Sequence, residues 1–136
     1  MNGRFIVSVI VICAALAGAA MFYLQIYGFY EDVSDTDNRV VLTSVVTGTP
    51  QEISVSSLNA IDADSSPIRY RACFQTDQSI VMFTETFEVH PDAEPRVAPG
   101  WFDCFSAEQI GKDLAAGNAV AFWGQRNIEY GIDRIV

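Results

Sequence analysis

The chain has 136 residues, half of them hydrophobic, with eight Lys and Arg against seventeen Asp and Glu and a formal net charge of −9. That length holds one small domain beside a membrane segment, and the acidic balance makes nucleic acid and anionic lipid headgroups poor partners. One histidine and three cysteines, none in a spacing that ligates a metal or lowers a thiol pKa, leave little for catalysis to use.

From Phe5 to Leu24 no residue is charged. Twenty residues at about 1.5 Å each cover roughly the 30 Å hydrocarbon core of a bilayer. Ala15-Leu16-Ala17 and Ala17-Gly18-Ala19 also fit the cleavage site of an export signal, whose apolar region runs about 7 to 15 residues. The apolar run continues past them through Met21, Phe22, Tyr23 and Leu24, so residues 1–30 read as a retained anchor. Arg4 precedes the segment and Glu31, Asp32, Asp35 and Asp37 follow it, which orients a cytoplasmic N-terminus and an extracytoplasmic remainder. Phe22, Tyr23, Tyr27, Phe29 and Tyr30 form an aromatic belt for the outer interface. Val7, Val11, Ala14, Gly18, Met21, Gln25 and Gly28 recur at steps of four and three, a stripe with small residues at its centre that suits close approach by another membrane helix.

Residues 31–38 read as an acidic tether, and residues 39–136 as the exported domain. RVVLTSVV (39–46) and EISV (52–55), joined through TGTPQ, predict one hairpin; IRYRACFQ (68–75) and IVMFTETFEV (80–89) predict a second. Asp62, Asp64 and Ser65 in IDADSSP lack the glycine and closing glutamate of a calcium loop and are assigned to shaping the turn into IRYRACFQ. Ser106-Ala-Glu-Gln109 has capping-box spacing and opens a short helix that Gly117 closes. AVAFWG (119–124) and NIEYGIDRIV (127–136) predict final strands. The pattern is α+β: a transmembrane helix, then a small, mostly antiparallel sheet with one short helix.

Cys13 lies in the apolar segment as a small apolar residue. Cys73 and Cys104 form an even pair in the exported part, which in an oxidising compartment predicts a structural disulfide. The loop so closed contains HPDAEPRVAPGWFDC, where Pro95, Trp101 and Phe102 suit either a partner contact or, the favoured reading, packing on the disulfide. His90 beside Pro91 reads as a surface residue. No nucleotide-binding, nucleophile-elbow or haem-attachment motif occurs, and no catalytic, cofactor-binding or metal-ligating residue is assigned.

GAAMFYLQIYGFYEDV, IDADSSPIRYRACF and APGWFDCF resemble a family of small single-pass membrane-anchored proteins of unknown function from Rhodobacterales and related alphaproteobacteria. The resemblance spans nearly the whole chain and carries over no catalytic residue. It implies members that continue beyond a segment like YGIDRIV, and hosts among the respiratory and photosynthetic complexes of such bacteria. The expectation is a non-catalytic accessory subunit of a multisubunit bioenergetic membrane complex, a photosynthetic reaction-centre and light-harvesting core ahead of a respiratory oxidase or bc1-type complex. Its partners would be integral membrane subunits and the bilayer. Without Arg4 the remainder carries seven basic against seventeen acidic residues, −10, which would attract a cationic cytochrome. The alternative is a free-standing periplasmic assembly factor or sensor module.

Overall fold

The uncharged run folds as helix α1, Gly3–Tyr23, and continues as a single wide π-turn, Leu24–Gly28. Together they make 26 residues, long and apolar enough to cross a bilayer. No residue of α1 is buried against the rest of the chain. The one polar hydroxyl near its start is satisfied locally, Ser8 Oγ donating to the Arg4 carbonyl at 2.9 Å. In this computed structural model residues 2–34, 39–64, 66 and 68–136 are described.

The domain holds a three-stranded antiparallel sheet in the order β1 (Glu31–Asp32), β4 (Ser56–Asp62), β5 (Arg71–Gln75), and a hairpin of β2 (Val41–Thr43) with β3 (Pro50–Glu52). With helices α2 (Ile80–Thr86) and α3 (Ala107–Ala116) this is the expected α+β class. The first predicted hairpin is present, with Val41 opposite Glu52 and Thr43 opposite Pro50.

The second predicted hairpin is not. Residues 80–86 form helix α2, because Ser79 caps it, its hydroxyl accepting from the Met82 N–H at 3.2 Å, and because Phe83 and Phe87, four apart, both turn into the core. A short run rich in Ile, Val, Thr and Phe fits a strand equally well by pattern, and tertiary burial decides it. The true partner of β5 is β4, whose SSLNAID has weak strand propensity. It sits at the sheet's centre because Ala60 and Ile61, at 0% and 2% exposure, are small and apolar enough to pack there. A bulge between Ser56 and Asn59 places Ser57 at φ 52°.

The segment assigned as a tether begins in the sheet: Glu31 pairs with Asp62 and Asp32 with Ile61, and the Ala60 N–H donates to Ser34 Oγ at 2.9 Å. Residues 35–38, with Asp35 and Asp37, lie outside the described residues. Asp32 accepts from the Ser34 hydroxyl and amide, which holds its carboxyl below the usual range.

α3 has the expected cap, Ser106 Oγ accepting from the Gln109 N–H at 3.3 Å, and ends at Gly117 with φ 77°. Gln109 does not return the capping bond; its amide donates forward to Asp113 at 3.1 Å. Neither predicted final strand forms as a regular strand: the two segments meet at one isolated antiparallel bridge, Trp123 with Ile135, beside which Phe122 and Val136 exchange both backbone hydrogen bonds, and a tight turn between Glu129 and Ile132 folds the second segment on itself. Gly124 is required where three backbones converge: a Cβ there would stand 3.0 Å from the Arg134 carbonyl and 3.2 Å from that of Val41. The core is Val40, Leu42, Ile53, Phe83, Phe87 and Phe122, with Leu58, Phe74, Val120 and Val136 against it.

Candidate functional site

Two features of the domain bear on function: a clamp that grips the C-terminal end of the apolar helix, and a cleft beside the disulfide.

A helix end leaves its last carbonyls without intrahelical partners. Here the domain supplies them. Trp101 Nε1 donates to the Ile26 carbonyl at 2.7 Å, and Arg69 Nη1 donates to the Gln25 carbonyl at 3.3 Å. The rings extend the contact: Tyr23 stacks on Tyr27 (5.6 Å between centroids), Tyr27 on Trp101 (6.1 Å), and Tyr30 meets Trp101 edge-on at 5.9 Å. Arg69 lies 5.8 Å above the Tyr30 ring. Trp101 in turn meets Phe102, which is 4% exposed. Aromatic contact is therefore continuous from the helix to a buried ring of the domain.

The loop carrying Trp101 is pinned by the Cys73–Cys104 disulfide, whose Cα atoms are 6.3 Å apart and which closes a separation of 31 residues. It is held again by Arg71, whose Nη2 donates to the Val97 carbonyl at 3.0 Å while Nη1 donates to those of Ile68 and Tyr70. Cys13 is a free thiol on the exposed helix.

Beside the disulfide lies a cleft of about 480 Å³, within the size range of small-molecule sites. Its apolar wall includes Phe74, Phe105, Ile110, Leu114, Val120 and Ile132. Four arginines line it, Arg39, Arg71, Arg96 and Arg134, against two carboxylates, Glu94 and Asp133. Arg39 pairs with Glu52 at 3.2 Å, and Asp133 accepts from the Asn127 N–H at 2.8 Å. Arg134 lies 3.8 Å above the Tyr70 ring, and the Nε atoms of Arg71 and Arg134 are buried with no hydrogen-bond partner among the described residues. Burial lowers the pKa of Arg71, with Arg96 adding to the effect, and burial raises that of Tyr70.

The match to known sequences covers residues 40–136, from the first core residue of the domain onward and short of the apolar helix. The chain belongs to the DUF6446 family, a family of unknown function. No curated protein and no solved structure matches it. In this DUF6446 member the clamp therefore joins the family domain to a helix outside the matched region.

The structure redistributes the residues singled out from sequence. Phe102 is buried, so it offers no partner surface, and Trp101 packs on this chain's own helix while remaining 38% exposed. Pro95 lines the cleft. Of the aromatic belt, Phe22 and Phe29 remain 63% and 43% exposed, while Tyr23, Tyr27 and Tyr30 join the Trp101 stack. Val11, Ala14, Gly18 and Met21 lie on the regular helix, while Gln25 and Gly28 fall in the π-turn that follows it. Asp62 shapes its turn as expected, its Oδ1 accepting from the Ala63 N–H at 2.8 Å; Ser65 lies outside the described residues. Among the described residues no group of three or more His, Cys, Asp or Glu side chains could hold a metal. His90 stacks on Trp123 at 4.1 Å, and Arg126 lies 4.1 Å above the Trp123 ring while pairing with Glu88 at 3.0 Å. Sequence reasoning missed the cleft entirely. The only signal was that four of the seven basic residues outside the helix line it in an acidic chain, which no local pattern displays.

Proposed function

We propose that the protein is a non-catalytic, membrane-anchored accessory subunit of a multisubunit bioenergetic complex. Its helix is retained, docks against other membrane helices through the face bearing Val11, Ala14, Gly18 and Met21, and holds the domain on the periplasmic side. The observation that carries this reading is the clamp: two side chains of the domain cap the helix terminus through the Ile26 and Gln25 carbonyls. A domain fastened this way has one orientation relative to its helix, which suits a fixed place in an assembly better than a swinging tether does. The helix meanwhile leaves its whole length to outside partners, and in lipid such association rests on close packing at small residues. A photosynthetic core complex is favoured as host over a respiratory one. The acidic domain would then also raise the local concentration of a cationic cytochrome, an attraction that salt weakens.

Extraction in mild detergent followed by native electrophoresis and mass spectrometry tests the proposal. A subunit co-migrates with its host at fixed stoichiometry. A free-standing assembly factor or binding module, the reading that the cleft favours, would run alone or substoichiometrically.

A further inference from the structure

We infer that the cleft lined by Arg71, Arg96 and Arg134 binds the carboxylate of a single-chain fatty acid, with the acyl chain against Ile110, Leu114 and Val120. Three observations converge on that occupant.

The first is charge. Outside the helix the chain has seven basic and seventeen acidic residues, yet the cleft collects four of the former and two of the latter. A fold that is acidic elsewhere has gathered its cations around an apolar hollow. Arg39 already pairs with Glu52, which leaves Arg71, Arg96 and Arg134 against Glu94 and Asp133, and the hydrogen bonds of Arg71 go to neutral carbonyls, which leave its charge unneutralised. Arg71 is half-buried, which strips part of its hydration, and a ligand carboxylate supplies a counter-ion, accepting charge-assisted bonds.

The second is hydrogen bonding. The Nε–H groups of Arg71 and Arg134 are both buried without an acceptor among the described residues. Neither guanidinium therefore has a bidentate partner that engages its Nε side among the described residues. Neutral apolar ligands offer none.

The third is position. Ile68, on the cleft rim, accepts from Arg71, and the next residue, Arg69, donates to the Gln25 carbonyl at the end of the apolar helix. A lining residue of the cleft is thus the chain neighbour of a residue that grips the helix end, near the level at which an amphiphile in the bilayer presents its headgroup. Its volume of about 480 Å³ suits one acyl chain and an acid group.

The test uses the full chain in phosphatidylcholine nanodiscs and hexadecanoate carrying a terminal diazirine. Irradiation and peptide mapping should place label on peptides containing Ile110, Leu114 or Val120, above the background on α1 that the bilayer itself supplies. Unlabelled hexadecanoate should compete at least about tenfold better than its methyl ester, which keeps the chain and loses the charge. Leu114→Trp fills the cleft and should remove the domain label with the disulfide still formed. Arg134→Gln should weaken competition by hexadecanoate about tenfold, and it carries the test should Leu114→Trp not fold. Label confined to α1, or equal competition by acid and ester, overturns the inference. The outcome is independent of whether the protein has a host complex.

Discussion

Trp101 Nε1 lies 2.7 Å from the Ile26 carbonyl, joining two residues 75 positions apart in sequence. This bond and its neighbour from Arg69 turn a helix terminus that would otherwise rely on water into a junction completed by the folded domain. Replacing Trp101 with Phe keeps a ring on Tyr27 and removes the donor. Hydrogen exchange at Phe29 to Glu31 should then accelerate, and the loss of one such bond should cost about 0.5–1.5 kcal/mol. Trp101→Ala, which also removes the stack, should cost more and broaden the helix-to-domain distance seen between spin labels. Unchanged exchange in both variants would mean that the junction contributes nothing to rigidity.

The disulfide has a definite thermodynamic expectation. Closing a loop of 31 residues constrains the unfolded chain enough to contribute about 3–4 kcal/mol in the chain-entropy view. Cys104→Ser should lower stability by a few kcal/mol and loosen the loop that presents Trp101. Peptide mapping without reductant should recover Cys73 linked to Cys104 and Cys13 alkylated.

Two backbone positions should respond in opposite directions. Gly124→Ala forces a Cβ between the Arg134 and Val41 carbonyls and should destabilise by about 1–3 kcal/mol, read from a denaturant midpoint. Tyr130 and Gly131 form the turn closing the pair Glu129 and Ile132, with φ of 53° and 76°. Both signs are those of a type I′ turn, which favours Asn or Gly at Tyr130's place. That side chain is 88% exposed, so Tyr130→Asn sacrifices little packing and should stabilise by up to about 1 kcal/mol.

Alkaline stability should report on Tyr70. Burial raises its pKa in the folded state above the unfolded value of about 10, so the folded chain holds the phenolic proton more tightly. The associated stability is fully present below about pH 10 and is lost as pH rises through the folded pKa. A pH series of unfolding midpoints should show that decline, and Tyr70→Phe should flatten it. An identical decline in both proteins would assign the effect to other groups.

Local sequence carried the apolar helix, the Ser106 cap with Gly117, the β2 hairpin and the cysteine pair, since each is written within a few residues or, for the cysteines, by chemistry and compartment. It did not carry the choice between helix and strand at Ile80–Thr86, where β-branched residues argue one way and the four-residue spacing of Phe83 and Phe87 the other. Nor did it reveal β4, because Ser, Asn and Ala in SSLNAID become a central strand only through pairing on both sides. The clamp and the cleft were illegible for a shared reason. Trp101 with Ile26, and Arg71 with Arg134, are assembled by tertiary structure from segments with no common local signature.

The measurement that tests the proposed account most directly is retention of a helix variant by the host. A Cβ at Gly18 would meet nothing of this chain within 4 Å, so Gly18→Leu adds bulk on a face that the domain does not contact. Leu16, on another face, provides the control. Membranes carrying tagged wild type, Gly18→Leu or Leu16→Ile would be solubilised, and the host subunits that co-purify would be quantified. The account predicts that wild type and Leu16→Ile retain a fixed complement of host subunits, while Gly18→Leu loses most of it with its disulfide and domain stability intact. Equal recovery with Gly18→Leu, or a mature N-terminus at Ala20 or Met21, would contradict it.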